Sequence, residues 1–153
     1  GALMLAPETL LGQVVKIDGA YQFVSETVSL QKPKKQQFFR KSPEWSGLFL
    51  FSDGYFSVSL MDNNRKFDGI SNFPKNIRQI GYESFAGKYE TSETTINFNP
   101  EVGLNLFFDV GRISVFKFKI EGESMTLTQT LSPYVEDMRK GEVVIVLKKV
   151  KSP

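Results

Sequence analysis

The spacing of apolar residues changes once along the chain. Leu10, Leu11, Val14 and Val15 recur at helical intervals, and Pro7 and Glu8 suit a first helical turn. One short N-terminal helix is predicted, weakened by Gly12. After Gly19 the period is two. Residues 20–30 alternate as a strand, with Tyr21, Phe23 and Ser25 on one face and Gln22, Val24 and Glu26 on the other. Further β-rich runs follow at 47–51, 55–61, 85–91, 95–98, 103–110, 112–120, 125–131 and 142–150. The breaks carry turn chemistry: Ser52-Asp53-Gly54, Asn99-Pro100-Glu101, Gly111, Glu121-Gly122-Glu123 and Lys140-Gly141. Residues 74–83 read as a short helical turn, and 31–45 as the main irregular segment.

Some eight or nine short strands joined by hairpins, with almost no helix, predict an all-β antiparallel barrel or sandwich. A closed barrel of about eight strands leaves room for its own side chains or for one small ligand.

Composition narrows the chemistry. The chain has 153 residues, which is the size of one domain, and 41% of them are hydrophobic. It contains neither Cys nor His, which removes thiolate nucleophiles, disulfides, Ser–His catalysis and the common zinc sites. No spacing of Asp or Glu suggests a metal loop and no glycine-rich phosphate loop is present, so no metal or cofactor is expected. No apolar run reaches the length of a membrane span. The net charge of +2 is too small to argue for nucleic acid. Phenylalanine is over-represented, at 14 residues against one Trp. Gly1-Ala2-Leu3 reads as a cloning remnant, leaving 4–153 as one domain. With Met4 as a native start and no secretory signal after it, a cytoplasmic protein is expected.

Three stretches together resemble the small lipocalin-like domain family of calycin-type barrels. They are Gly19-Ala20-Tyr21-Gln22-Phe23, then Asp53-Gly54-Tyr55 with Ser57, then Gly87 and Tyr89-Glu90 followed by Gly111, Phe118, Gly122 and Leu127. The resemblance implies a single up-and-down barrel of 8–9 strands. Tyr21 stands where the family has Trp. Phe98, Ser114 and Phe116 stand near positions where it often has His, Gln and Arg, so the implied cavity exchanges polar handles for aromatic surface.

Alternation assigns the inward face. Lys117 and Lys119 point out, which turns Ser114, Phe116, Phe118 and Ile120 in. The same reading turns in Phe49 and Phe51, then Leu104, Leu106, Phe108 and Val110, then Met125, Leu127 and Gln129. Tyr55 and Ser57 are expected among the few inward polar groups. The expected function is binding of a small hydrophobic molecule among Phe49, Phe51, Phe98, Phe108, Ser114, Phe116, Phe118 and Met125, with Tyr55 or Arg112 at its polar end. The competing interpretation of the same residues is a barrel filled by its own side chains. An alternative function is a cofactor-independent cyclase or isomerase using Tyr55, Tyr89 or Glu90 to handle protons. A third is an interaction protein using 31–45, where five basic residues mix with Phe38, Phe39 and Trp45. That segment otherwise reads as a solvated rim loop or a lid. The pattern carries no signal for an oligomeric state.

Overall fold

The computed structural model describes residues 15–31, 34–64, 81–104, 110–131 and 141–151. Nine strands form one antiparallel sheet: β1 (Gly19–Gln31), β2 (Lys34–Lys41), β3 (Trp45–Ser52), β4 (Tyr55–Asp62), β5 (Tyr82–Thr91), β6 (Thr95–Leu104), β7 (Ser114–Glu121), β8 (Ser124–Leu131) and β9 (Gly141–Lys149). From β3 to β9 each strand pairs with the next, and β9 pairs back onto β1, from Tyr21 opposite Lys149 to Leu30 opposite Gly141. Eight strands therefore close an up-and-down barrel, consistent with a calycin-like fold, and β2 is added outside the ring.

The extra strand replaces the irregular segment expected at 31–45. One edge of β1 serves two partners. Gly19–Gln22 pairs with β3, and the half from Ser25 to Gln31 pairs with β2. Between them the chain steps away at Ser42, Pro43 and Glu44, with the Ser42 amide donating to the Val24 carbonyl at 2.9 Å. Together, β2 and β3 form one interrupted partner for the long first strand.

Local chemistry explains the tight corners. Asp53 and Gly54 have φ of 47° and 81°, as the two-residue hairpin turn between β3 and β4 requires. Asn99-Pro100-Glu101 is not a turn. It lies within β6, where Ala86 faces Val102 and Gly87 faces Pro100, leaving Glu101 as a bulge. A bulge is one of the few places where a strand admits proline. It also explains Gly87, because a side chain there would collide with the Asn99 carbonyl oxygen and the Glu101 amide. The predicted helix at 7–15 falls outside the described residues except for Val15, which is not helical. Most of the predicted 74–83 turn also falls outside them, and β5 already begins at Tyr82.

The core is the barrel axis. Tyr21, Phe23, Phe49, Phe51, Phe56, Phe85, Phe98 and Phe116 are all buried, with Ile96, Met125, Leu127 and Leu147 between them. Each such side chain contributes about 1.5–3 kcal/mol by leaving water. Rings meet edge to face in a chain, with centroids 5.7 Å apart for Tyr21–Phe51, 5.3 Å for Phe51–Tyr89, 4.9 Å for Phe56–Phe98 and 5.6 Å for Phe98–Phe116. This geometry suits the ring quadrupole.

The two ends of the barrel differ. One end holds the short turns after β3, β5 and β7. Residues 15–18 cross it, with Ile17 1% exposed. There the Tyr21 phenol donates to the Ile17 carbonyl at 3.0 Å, and the Thr91 hydroxyl donates to the Val15 carbonyl at 3.1 Å. Asp18 accepts from the Asp53 amide at 3.1 Å and, at 3.5 Å, from the Tyr89 phenol. The other end holds the β1–β2 hairpin and the longer connections from Asp62 to Tyr82, Leu104 to Ser114 and Leu131 to Gly141.

Candidate functional site in the barrel

Strand register sorts the inward side chains by height. Toward the short turns lie Tyr21, Phe51, Phe56, Tyr89, Phe98 and Met125, most of them touching ring to ring. Toward the long connections the inward positions are smaller or polar. They include Leu60, Glu83, Ser114, Gln129 and Val143, with Phe23, Phe49 and Phe85 below them. Gln129 is half-buried and donates its amide to the Ser114 hydroxyl at 2.9 Å.

Within this lining sits a charged group that alternation did not foresee. Glu26 on β1 and Arg40 on β2 are directly opposed, and both are buried. Two bulges aim them inward. On the β9 side, Phe23 faces Leu147 and Ser25 faces Val146, so Val24 is the extra residue. On the β2 side, Glu26 faces Arg40 and Thr27 faces Phe38, so Phe39 is the extra residue. A one-residue slip moves every later side chain to the opposite face. Arg40 Nε lies 2.8 Å from Glu26 Oε1, and Nη1 lies 2.8 Å from Glu83 Oε1 on β5. Glu26 and Arg40 are neighbours on paired strands, whereas the Arg40–Glu83 contact joins β2 to β5, strands that do not pair. The guanidinium also lies 5.0 Å from the Trp45 ring and 5.1 Å from that of Phe39.

The two ends of the Arg40–Glu83 bond respond differently to burial. Burial pulls Arg40 down, but the carboxylates of Glu26 and Glu83 outweigh it and hold the guanidinium above its ordinary value. Burial pushes the Glu83 carboxyl up, the nearby Glu26 charge adds to this, and Arg40 offsets only part of it. Two carboxylates share one cation, and at Glu83 burial outweighs the guanidinium and holds the carboxyl above its ordinary value. At the opposite end, burial and then the Asp18 charge raise the phenols of Tyr21 and Tyr89. Both therefore remain protonated hydrogen-bond donors at neutral pH.

Of the residues singled out from sequence, Phe49, Phe51, Phe98, Phe116 and Met125 are buried in the barrel, and Phe118 packs against them half-buried. Ser114 joins Gln129 in the half toward the long connections. Phe108 lies outside the described residues. Tyr55 does not face the lumen. It is 55% exposed, with the Lys88 ammonium 5.9 Å from its ring. The alternation Phe56, Val58, Leu60 against Tyr55, Ser57, Ser59 sets this phase, and it was readable in the sequence. Arg112 is exposed ahead of β7 instead of opening that strand inward, and Val110 is 56% exposed rather than part of an inward face. Ile120 is also exposed, at the end of its strand. Tyr55 and Glu90 lie on the outside and Tyr89 inside against Asp18, so these three do not converge.

A separate groove of about 460 Å³ opens on the outer wall at the step between β2 and β3, among Gln22, Trp45, Leu48, Met61 and Tyr82. No helix among the described residues is long and apolar enough to cross a membrane. No known protein family, curated protein or solved structure matches this chain.

Proposed function

We propose that the barrel is a lipocalin-like binding module for one small hydrophobic molecule, held in the half of the lumen toward the long connections. The supporting observation is the uneven lining. Rings near the short turns pack ring on ring, whereas toward the long connections the described lining is more aliphatic and polar, with Phe23, Leu60 and Val143 near the Glu26–Arg40–Glu83 bridge. Mostly apolar walls with a few placed polar groups, here Ser114 and Gln129, are the usual character of a ligand pocket. Apolar burial would drive binding at about 25 cal/mol per Å², less the ordering cost.

The test uses the neutral lipophilic dye Nile red. The expected result is saturable binding at one dye per barrel, weakened by roughly tenfold or more in Val143→Phe, because an added ring fills that half of the lumen. Absence of saturable binding, or full affinity in a folded Val143→Phe variant, would overturn the proposal.

A further inference from the structure

We infer that the outer wall formed by β3, β4 and β5 is a self-association face, on which a second copy of this chain packs about a two-fold axis running along β4. The surface lies outside the lumen, so the inference stands apart from the ligand proposed above.

Register lays this wall out as a grid. Phe49, Phe51, Phe56, Val58, Leu60 and Phe85 are buried, so the residues alternating with them face outward. One row across the sheet reads Ala20, Leu50, Ser57, Ala86 and Val102. The next reads Gln22, Leu48, Ser59 and Ser84, and a third reads Ser46, Met61 and Tyr82. None of these positions is charged, although 24% of the whole chain is, which would place about three charges among them. The wall of β7 follows the ordinary pattern, with Lys117, Lys119 and Glu121 all exposed. Charges resume at the border of the neutral grid. Lys88 and Glu101, an exposed pair 3.8 Å apart, lie at its short-turn side, and Lys148 stands opposite Gln22. A neutral centre with a charged rim suits a contact surface, because covering it strands no unpaired charge.

Shape selects the occupant. On β3, Leu48 and Leu50 are 47% and 44% exposed and form a ridge. Beside it, β4 presents Ser57 and Ser59, and β5 presents Ser84 and Ala86, so the ridge borders a strip of small side chains. Strands β3 and β5 flank β4 at equal distances of about 4.8 Å. A half-turn about an axis along β4 therefore carries the ridge of each copy onto the Ser84–Ala86 strip of the other. An isologous contact needs a feature and its complement side by side on one surface, and this wall carries both.

Area sets the strength. The grid measures roughly 20 Å across and about 17 Å along the strands. It is also convex, being the outside of a barrel. It falls short of the ~800 Å² that each copy of a stable dimer buries, so the dimer is weak, with Kd on the order of 10–100 µM.

Sedimentation equilibrium of the whole chain from about 5 to about 500 µM tests this. The average mass should rise from that of one copy toward that of two across the range. Leu48→Lys sets a charge on the ridge and Ser84→Lys sets one in the strip. Each should weaken association roughly tenfold or more. Val115→Lys, at an exposed position on β7, should leave it unchanged. A chain that stays monomeric at the highest concentration overturns the inference and leaves the wall to a different protein. Growth beyond two copies overturns the closed two-fold contact. Association that survives Leu48→Lys and Ser84→Lys, or that is lost in Val115→Lys, places the interface elsewhere and overturns it too. Should one of the two wall variants fail to fold, the other decides.

Discussion

The two ends of this barrel solve one problem with opposite materials. The short-turn end is closed by Ile17 and touching aromatic rings, and its polar atoms are neutral donors paired with carbonyls or Asp18. Toward the long connections, the described residues instead include one buried guanidinium between two carboxylates. Apolar closure is indifferent to pH and has no single point of failure. A charged crossing depends on one residue and on its partners' protonation.

Three substitutions sharpen or break this contrast. Phe98→Ala has the largest expected effect. Phe98 touches the rings of Phe51, Phe56 and Phe116, and its loss should cost about 4 kcal/mol, read as a lower urea midpoint of similar size at every pH. Next is Arg40→Met, which leaves two buried carboxylates facing each other. A loss of about 3 kcal/mol is expected at neutral pH. Its pH dependence separates the two ends. Burial holds the folded pKa of Glu83 above its unfolded value, so the contribution of this group to stability is full below the ordinary Glu range. It is lost as pH rises through the raised folded value. Removing Arg40 deepens that loss, so the deficit of Arg40→Met should shrink as urea midpoints are compared at about pH 7 and then at about pH 5. Equal deficits at both would show that the bridge carries no electrostatic role. The smallest effect belongs to Tyr21→Phe, which removes only the phenol bond to Ile17. About 1 kcal/mol should be lost, without pH dependence below the phenol range. A change well above this would mean that the short-turn end also hangs on a single polar contact.

Much of the fold was legible because period-two patterning and turn residues agree along most of the chain. Lysines at 117 and 119 placed Phe116 inward, and Asp53-Gly54 marked its hairpin. The buried charged group was missed for one cause. Bulges at Val24, Phe39 and Glu101 change the phase of strands that otherwise look regular. A strict alternation therefore put Glu26 outside, and Arg40 was read as part of a loop. A polar pair buried by bulges has no signature in hydrophobic periodicity, because its residues are those the pattern assigns to solvent. Tyr55 was a different case. The alternating serines beside it already gave the answer, because Phe56, Val58 and Leu60 claim the inward face.

The seam between β1 and β9 joins strands from opposite ends of the described chain, with no hairpin to hold them together. Apart from β1 with β3, which are joined through β2, every other pair in the ring is consecutive in sequence, so this pairing bears most of the entropic cost of circularising the sheet. A variant that loses it would remain a meander of neighbouring strands with two naked edges, each able to recruit the edge of another molecule. Failure of this protein should therefore look like intermolecular β association rather than simple unravelling.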